Sequence, residues 1–125
     1  MNLIKTYAPL AARVMMGLLF LIAGLGKLGD VAGFTGYMTS AGVPGFLAWP
    51  VILLEVVGGI LLIVGFKVRV AALALAGFTL LAAVLYHLVP SDQMQMTMFL
   101  KNLAVAGGLL LVTAHGAGRF AVDRA

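Results

Sequence analysis

Four polar residues stand at positions where an apolar one would be ordinary: Arg13, Glu55, Lys101 and Asn102. Glu55 interrupts VILLEVVGGILLIVGF, the apolar run from Val51 to Phe66, in a chain with only four acidic residues. A charged group at the middle of a membrane helix carries an insertion penalty of about 2.5–3.5 kcal/mol, so it must face protein or water rather than lipid. Three chemistries suit a carboxylate held there: pairing with Arg13 or Lys101 as a structural clamp, taking up and releasing a proton, or holding a polar group of a ligand. Arg13 has a second option, because its long stem can snorkel toward the nearer membrane face. Lys101 and Asn102 follow Met98, Phe99 and Leu100 and precede a largely apolar dozen, so when facing inward they can satisfy one another and Glu55.

A second group, Lys27, His87, Gln93 and Gln95, falls at helix ends on one side of the expected bundle. It describes a shallow polar vestibule above Glu55. The simpler alternative is that Lys27 snorkels to the headgroups and His87 ends its helix. His115 lies at the far end of the last apolar stretch, where a histidine suits the negative helix terminus.

Other site chemistries find no support. His87 and His115, the only histidines, fall on opposite sides of the expected bilayer, so one chain cannot clamp a haem between them and no metal centre is expected. Gly24-Leu25-Gly26 and Gly58-Gly59 lack the strand and following motif of a phosphate loop. No Ser-His-carboxylate set can be assembled, and the carboxylates are too scattered for paired acid–base work. With no cysteine, disulfides, thiol redox chemistry and Cys-ligated metals are excluded for this chain.

The elements that must position these residues follow from composition. Of 125 residues, 63% are hydrophobic and 10% charged, against about 25% charged in soluble domains. Apolar stretches recur at about 8–26, 47–66, 70–89 and 98–115. At 1.5 Å per residue each reaches about 27–30 Å, the thickness of a bilayer's hydrocarbon core. The expectation is an all-α bundle of four transmembrane helices forming one integral-membrane domain over 1–125. The first 27 residues also fit a secretory signal, with Lys5 before an apolar run and small residues at its end, but Arg13 interrupts that run and three spans follow, so a retained first helix is expected.

Charge orients the bundle. With both termini inside, Lys5, Arg13, Lys67, Arg69, Arg119 and Arg124 fall on the cytoplasmic side and only Lys27 and Lys101 outside, which predicts N-in, C-in topology. The net charge of +4 matches this bias and attraction to anionic lipid. The cations form no stripe interleaved with aromatics, so nucleic acid is not an expected partner.

The connection Gly65-Phe66-Lys67-Val68-Arg69 is short enough to lay the second and third spans side by side. Between the first two spans, Val31, Phe34, Tyr37, Met38 and Ala41 recur at helical spacing, with Asp30 suited to the N-cap and Gly42 to the C-terminus. A short interfacial helix with its aromatics among the headgroups is predicted. Pro44 and Pro50 frame the entry to the second span, Trp49 suits an interfacial anchor, and Tyr86 with Ser91–Gln95 forms an outer turn. Ala8/Ala12, Ala72/Ala76 and Ala104/Gly108, four apart, and Gly58-Gly59 and Gly107-Gly108 allow close packing in the bundle or against a second copy in a homo-oligomer. The same missing side chains can instead leave a cavity for a flat ligand.

On these residues the chain resembles the DoxX family of small bacterial membrane proteins, related to the DoxD subunit of archaeal thiosulfate:quinone oxidoreductase. The resemblance spans nearly the whole chain: Arg13 with GLLFLIAGLGKL (17–28), GVPGF (42–46), EVVGGILLIVGF (55–66) and FLKNLAVAGGLLLV (99–112), in that order. Arg13, Lys27, Glu55, Lys101 and Asn102 match its expected polar positions. The resemblance implies a bacterial inner-membrane protein linked to quinone or respiratory redox processes, with an oxidoreductase as partner and a quinone as contact. Without cysteines or a soluble region, an accessory or anchoring component without its own catalysis is the expected role. A proton-coupled transporter using Glu55 and a purely structural membrane protein are the alternatives.

Overall fold

The computed structural model describes residues 3–118 and 120–122, so Arg119 and Arg124 of the orientation argument lie outside the described residues. Among the described residues four helices are long and apolar enough to cross a membrane: Leu3–Leu28, Gly45–Val64, Val68–His87 and Gln93–His115. We label α1 (Leu3–Leu28), the short α2 (Val31–Ser40), α3 (Ala48–Val64, entered by a 3₁₀ turn at Gly45–Leu47), α4 (Val68–Ala82, continued by a π-helical turn at Ala83–His87) and α5 (Gln93–His115).

The predicted short helix is present, and its ends form for the predicted reasons. Asp30 at the N-cap accepts from the Gly33 N–H at 2.9 Å, and beyond the C-cap Gly42 takes a left-handed φ of +80°. Two boundaries differ from expectation. Helix α1 starts at Leu3 rather than 8, carrying Pro9 in its second turn. Helix α5 starts at Gln93 rather than 98, because the Asp92 carboxylate accepts from the Met94 and Gln95 N–H groups and starts the helix inside the weakly polar stretch read as a turn.

Helices α1 and α3 form the most intimate pair, antiparallel and in backbone contact. A methyl at Gly17 would lie 2.7 Å from the Gly59 carbonyl oxygen, and one at Gly59 2.7 Å from that of Gly17. One face of α1 is buried at Arg13, Gly17, Phe20 and Gly24, the spacing of a helix stripe. The connection to α4 turns sharply through left-handed Gly65 (φ +79°) and Lys67 (φ +49°). Ala72 and Ala76 are buried as their spacing predicted, whereas a methyl on Gly107 would meet nothing. The packed core, Leu62, Val68, Leu75, Leu109 and Val112, lies toward the end of the bundle where α1 begins and α5 finishes. Outward Leu, Val and Ile side chains, such as Ile22, Leu53, Leu81 and Leu111, make the lipid-facing surface.

Candidate functional site

The opposite end of the bundle gathers inward-facing polar side chains. A cavity of about 230 Å³ opens there, walled by Phe20, Phe78 and Val105 and reached by side chains from α1, α2, α3, α4 and α5. Glu55, 4% exposed, projects into it from α3. Its Oε1 accepts from the Lys27 ammonium at 2.6 Å, and Lys27 is the carboxylate's only hydrogen-bonding partner among the described residues. This pairing corrects the expectation that Arg13 or Lys101 would hold Glu55.

The helix register explains the choice of partner. With Gly17 against Gly59 and Gly24 against Val56, the last turn of α1 comes beside Glu55. A methyl at Gly24 would lie 3.1 Å from the Glu55 Cβ, so the missing side chain is what admits the carboxylate beneath Lys27. Lys27 also lies 5.2 Å from the centre of the Phe34 ring, which adds a cation–π contact from α2.

Arg13 belongs to the other end. Fourteen residues separate it from Lys27, about 21 Å along the helix. Fully buried, it donates from Nη1 to the Leu62 carbonyl at 2.9 Å and the Ile63 carbonyl at 3.3 Å, and from Nη2 to the Phe120 carbonyl. It thus satisfies carbonyls in the last turn of α3, which the helix itself leaves unpaired. The segment after α5 is drawn over this end: Phe120 stacks on Tyr7 at 5.5 Å, and the Val122 N–H donates to the Val64 carbonyl at 3.2 Å.

Lys101 and Asn102 do meet Glu55 in one cavity, each in a different way. Lys101 lines it within electrostatic reach of the carboxylate. Asn102 is buried and donates to the Thr79 carbonyl at 3.2 Å. Thr79, 4% exposed, also lines the cavity, and its Oγ1 has no hydrogen-bond partner among the described residues. A buried hydroxyl left so is uncommon and calls for an explanation. Thr79 is not among the polar residues that the sequence singles out; its signal there is that of the one aliphatic hydroxyl in the apolar stretch 70–89.

The predicted vestibule is partly assembled. Lys27 and His87 line the cavity, Gln95 reaches it through a 2.7 Å hydrogen bond between its Oε1 and His87 Nδ1, and Gln93 is exposed and stands apart. The π-helical turn at Ala83–His87 widens the end of α4, and Tyr86 and His87 leave this turn into the cavity. Tyr86 stacks on Tyr37 of α2 at 5.1 Å with 24° between planes. The aromatics of α2 were expected among the headgroups, yet Phe34 and Tyr37 turn toward the cavity, because buried Met38 fixes that face of the short helix on the bundle. His115 ends α5, and its carbonyl accepts from Arg69 at 3.3 Å. No cluster of three metal-ligating side chains occurs among the described residues.

Four helices of spanning length and a Lys–Glu pair with a buried carboxylate, among the described residues, define a small multi-pass membrane protein. The chain belongs to the DoxX family, whose model matches residues 8–88, the first three spans. It is 44% identical to inner membrane protein YqjF of Escherichia coli (strain K12) over 124 residues, covering 99% of this chain and 95% of that one. It is 34% identical to inner membrane protein YphA of the same organism over 122 residues, 92% of this chain and 87% of the other. CatD of Bacillus subtilis (strain 168), named as a candidate oxidoreductase, is 31% identical over 85 residues, 68% of this chain and 63% of its own. No solved structure matches. The protein is thus a multi-pass component of the bacterial inner membrane.

Proposed function

We propose that this protein is an accessory component of a membrane redox system, without catalytic turnover of its own, and that its cavity seats the head of a quinone-class ligand. The observation that carries the reading is the composition of the cavity: a Lys27–Glu55 pair, Lys101, Asn102 and the unpartnered Thr79 hydroxyl, set in apolar and aromatic walls. Binding sites for small apolar molecules combine such walls with a few convergent polar groups. At about 230 Å³ the cavity falls below the range of about 300–1,000 Å³ typical of sites for whole drug-sized ligands, which suits a ring whose tail stays in lipid. Carbonyl oxygens on such a ring would accept from the lysines and from Thr79, while Phe34, Tyr37 and Tyr86 offer flat faces.

In this reading the whole chain, fourth span included, works as one domain in N-in, C-in orientation, and the cavity faces the outer leaflet. Arg13 and the final segment close the other end, which favours a one-sided receptor over a path through the membrane. Family-level association with quinone-linked systems supports the choice of ligand and of an oxidoreductase as partner.

The test uses membranes carrying the full chain, Glu55→Gln or Lys27→Gln. Folding, recovery of an oxidoreductase partner, quinone retained by the purified chain and membrane quinone-reductase activity are measured separately. Both variants are expected to recover the partner while retaining about tenfold less quinone, the loss of one hydrogen bond at the low end of the range for charged groups. Quinone retention equal to wild type in both variants, or reductase turnover by the purified chain alone, would overturn the reading.

A further inference from the structure

A second concavity lies at the other end of the bundle, where α1 and α5 diverge. It has a volume of about 480 Å³ and runs along Ile4, Ala8 and Ala12 on one wall and Leu111 and Val112 on the other. Its floor is made by small side chains, so it is a groove rather than a knob-bearing face. Its end toward the membrane surface is polar and basic. Lys5 and His115 line it, and the Arg69 guanidinium packs on its last residue, Gly116: a methyl there would lie 2.9 Å from Arg69 Nη2. Lys5, Arg69 and His115 are all exposed, and no acidic residue lines the groove among the described residues. The N-terminus of α1, the positive end of a 26-residue helix, points to the same place.

We propose that this groove is a binding site for one anionic phospholipid, an acyl chain lying along Ala8 and Ala12 and the phosphate held by Lys5 and Arg69, with His115 beside it. Basic pockets between membrane helices bind anionic headgroups in this manner. Charge decides between lipid and a second copy of the chain as occupant. A two-fold interface would set the same patch on both subunits, so that two basic clusters met in one contact without a lining carboxylate to offset them. The site is separate from the Glu55 cavity and does not depend on the function proposed for it.

Native mass spectrometry of the detergent-purified full chain, titrated with phosphatidylglycerol and phosphatidylcholine of identical acyl chains, tests the site. Wild type is expected to retain one phosphatidylglycerol per chain in clear preference to phosphatidylcholine. Lys5→Gln and Arg69→Gln should each lower that preference about fivefold, the effect of one surface cation on anionic lipid. Filling the groove with Ala8→Phe and Ala12→Phe should remove the retained lipid. Should that variant fold poorly, the two surface variants decide alone. Equal retention of the two lipids by wild type, an unchanged preference in both Lys5→Gln and Arg69→Gln, or a dimer that Ala12→Phe converts to monomer would each overturn the proposal, the last by giving the groove to a second copy.

Discussion

Lys27 on α1 donates to Glu55 on α3 across 2.6 Å, and the two side chains are unequally buried, Glu55 at 5% and Lys27 at 25% exposure. The inequality predicts asymmetric mutational costs. Lys27→Met leaves a buried carboxylate with no hydrogen-bonding partner and only the more distant charge of Lys101, and should cost about 3 kcal/mol, the lower end for breaking a buried pair. Glu55→Gln leaves an ammonium that can turn toward the membrane surface and should cost less. The double variant Lys27→Met/Glu55→Gln should be less destabilised than the sum of the two singles, because neither charge is then left without the other. Unfolding of all three in detergent, read as a double-mutant cycle, checks this; a double variant as unstable as the sum of the singles would contradict it.

Thr79→Val tests the unpartnered hydroxyl. Without a ligand the change should stabilise the purified protein by about 1 kcal/mol, because a buried group lacking a hydrogen bond is replaced by an apolar one of the same shape. With quinone present, the proposed function predicts the opposite sign for binding, a loss of several-fold in retention. Thermal unfolding with and without added quinone separates the two effects.

Arg13→Lys should not be conservative. The guanidinium reaches the Leu62, Ile63 and Phe120 carbonyls with two nitrogens, a fork that an ammonium does not reproduce. We expect a loss of about 2–3 kcal/mol, the value of hydrogen bonds from a charged donor. Limited proteolysis should cut the segment after His115 faster than in wild type, while the distant cavity keeps its ligand.

The glycines separate into tight and open positions. Gly59→Ala forces a methyl to 2.7 Å from the Gly17 carbonyl oxygen and should destabilise by more than about 2 kcal/mol, the scale of overpacking. Gly107→Ala meets nothing and should stabilise by up to about 1 kcal/mol through helix propensity. Equal effects of the two substitutions would refute the α1–α3 contact.

Asp92→Ala removes the cap that starts α5. A loss of about 1 kcal/mol is expected, with faster amide exchange at Met94 and Gln95, the two N–H groups that Asp92 accepts. The first turn carries Gln95 to His87, so the nitrogen chemical shifts of the His87 ring should move as well.

Much of this protein is determined by local sequence. The four apolar stretches have bilayer length, so the number of spans follows from the rise of a helix. Asp30 and Gly42 carry the capping and left-handed preferences that bound α2, and both act within a few residues of themselves. That Glu55 must be sheltered also follows from the cost of charge in hydrocarbon alone.

Which cation shelters it does not follow, because Arg13, Lys27 and Lys101 are all permitted by topology. The register of α1 on α3 decides, and it is set where the backbones touch at Gly17 and Gly59 and where Gly24 receives Val56. That register leaves Lys27 beside Glu55 and sends Arg13 to the end of α3, about 21 Å away along α1. Tertiary packing likewise brings Thr79 to the cavity and sets Phe34 and Tyr37 along its lining. Sequence prices each buried polar group by its own desolvation, but a partner is fixed by distance between helices, a quantity only the packed bundle possesses.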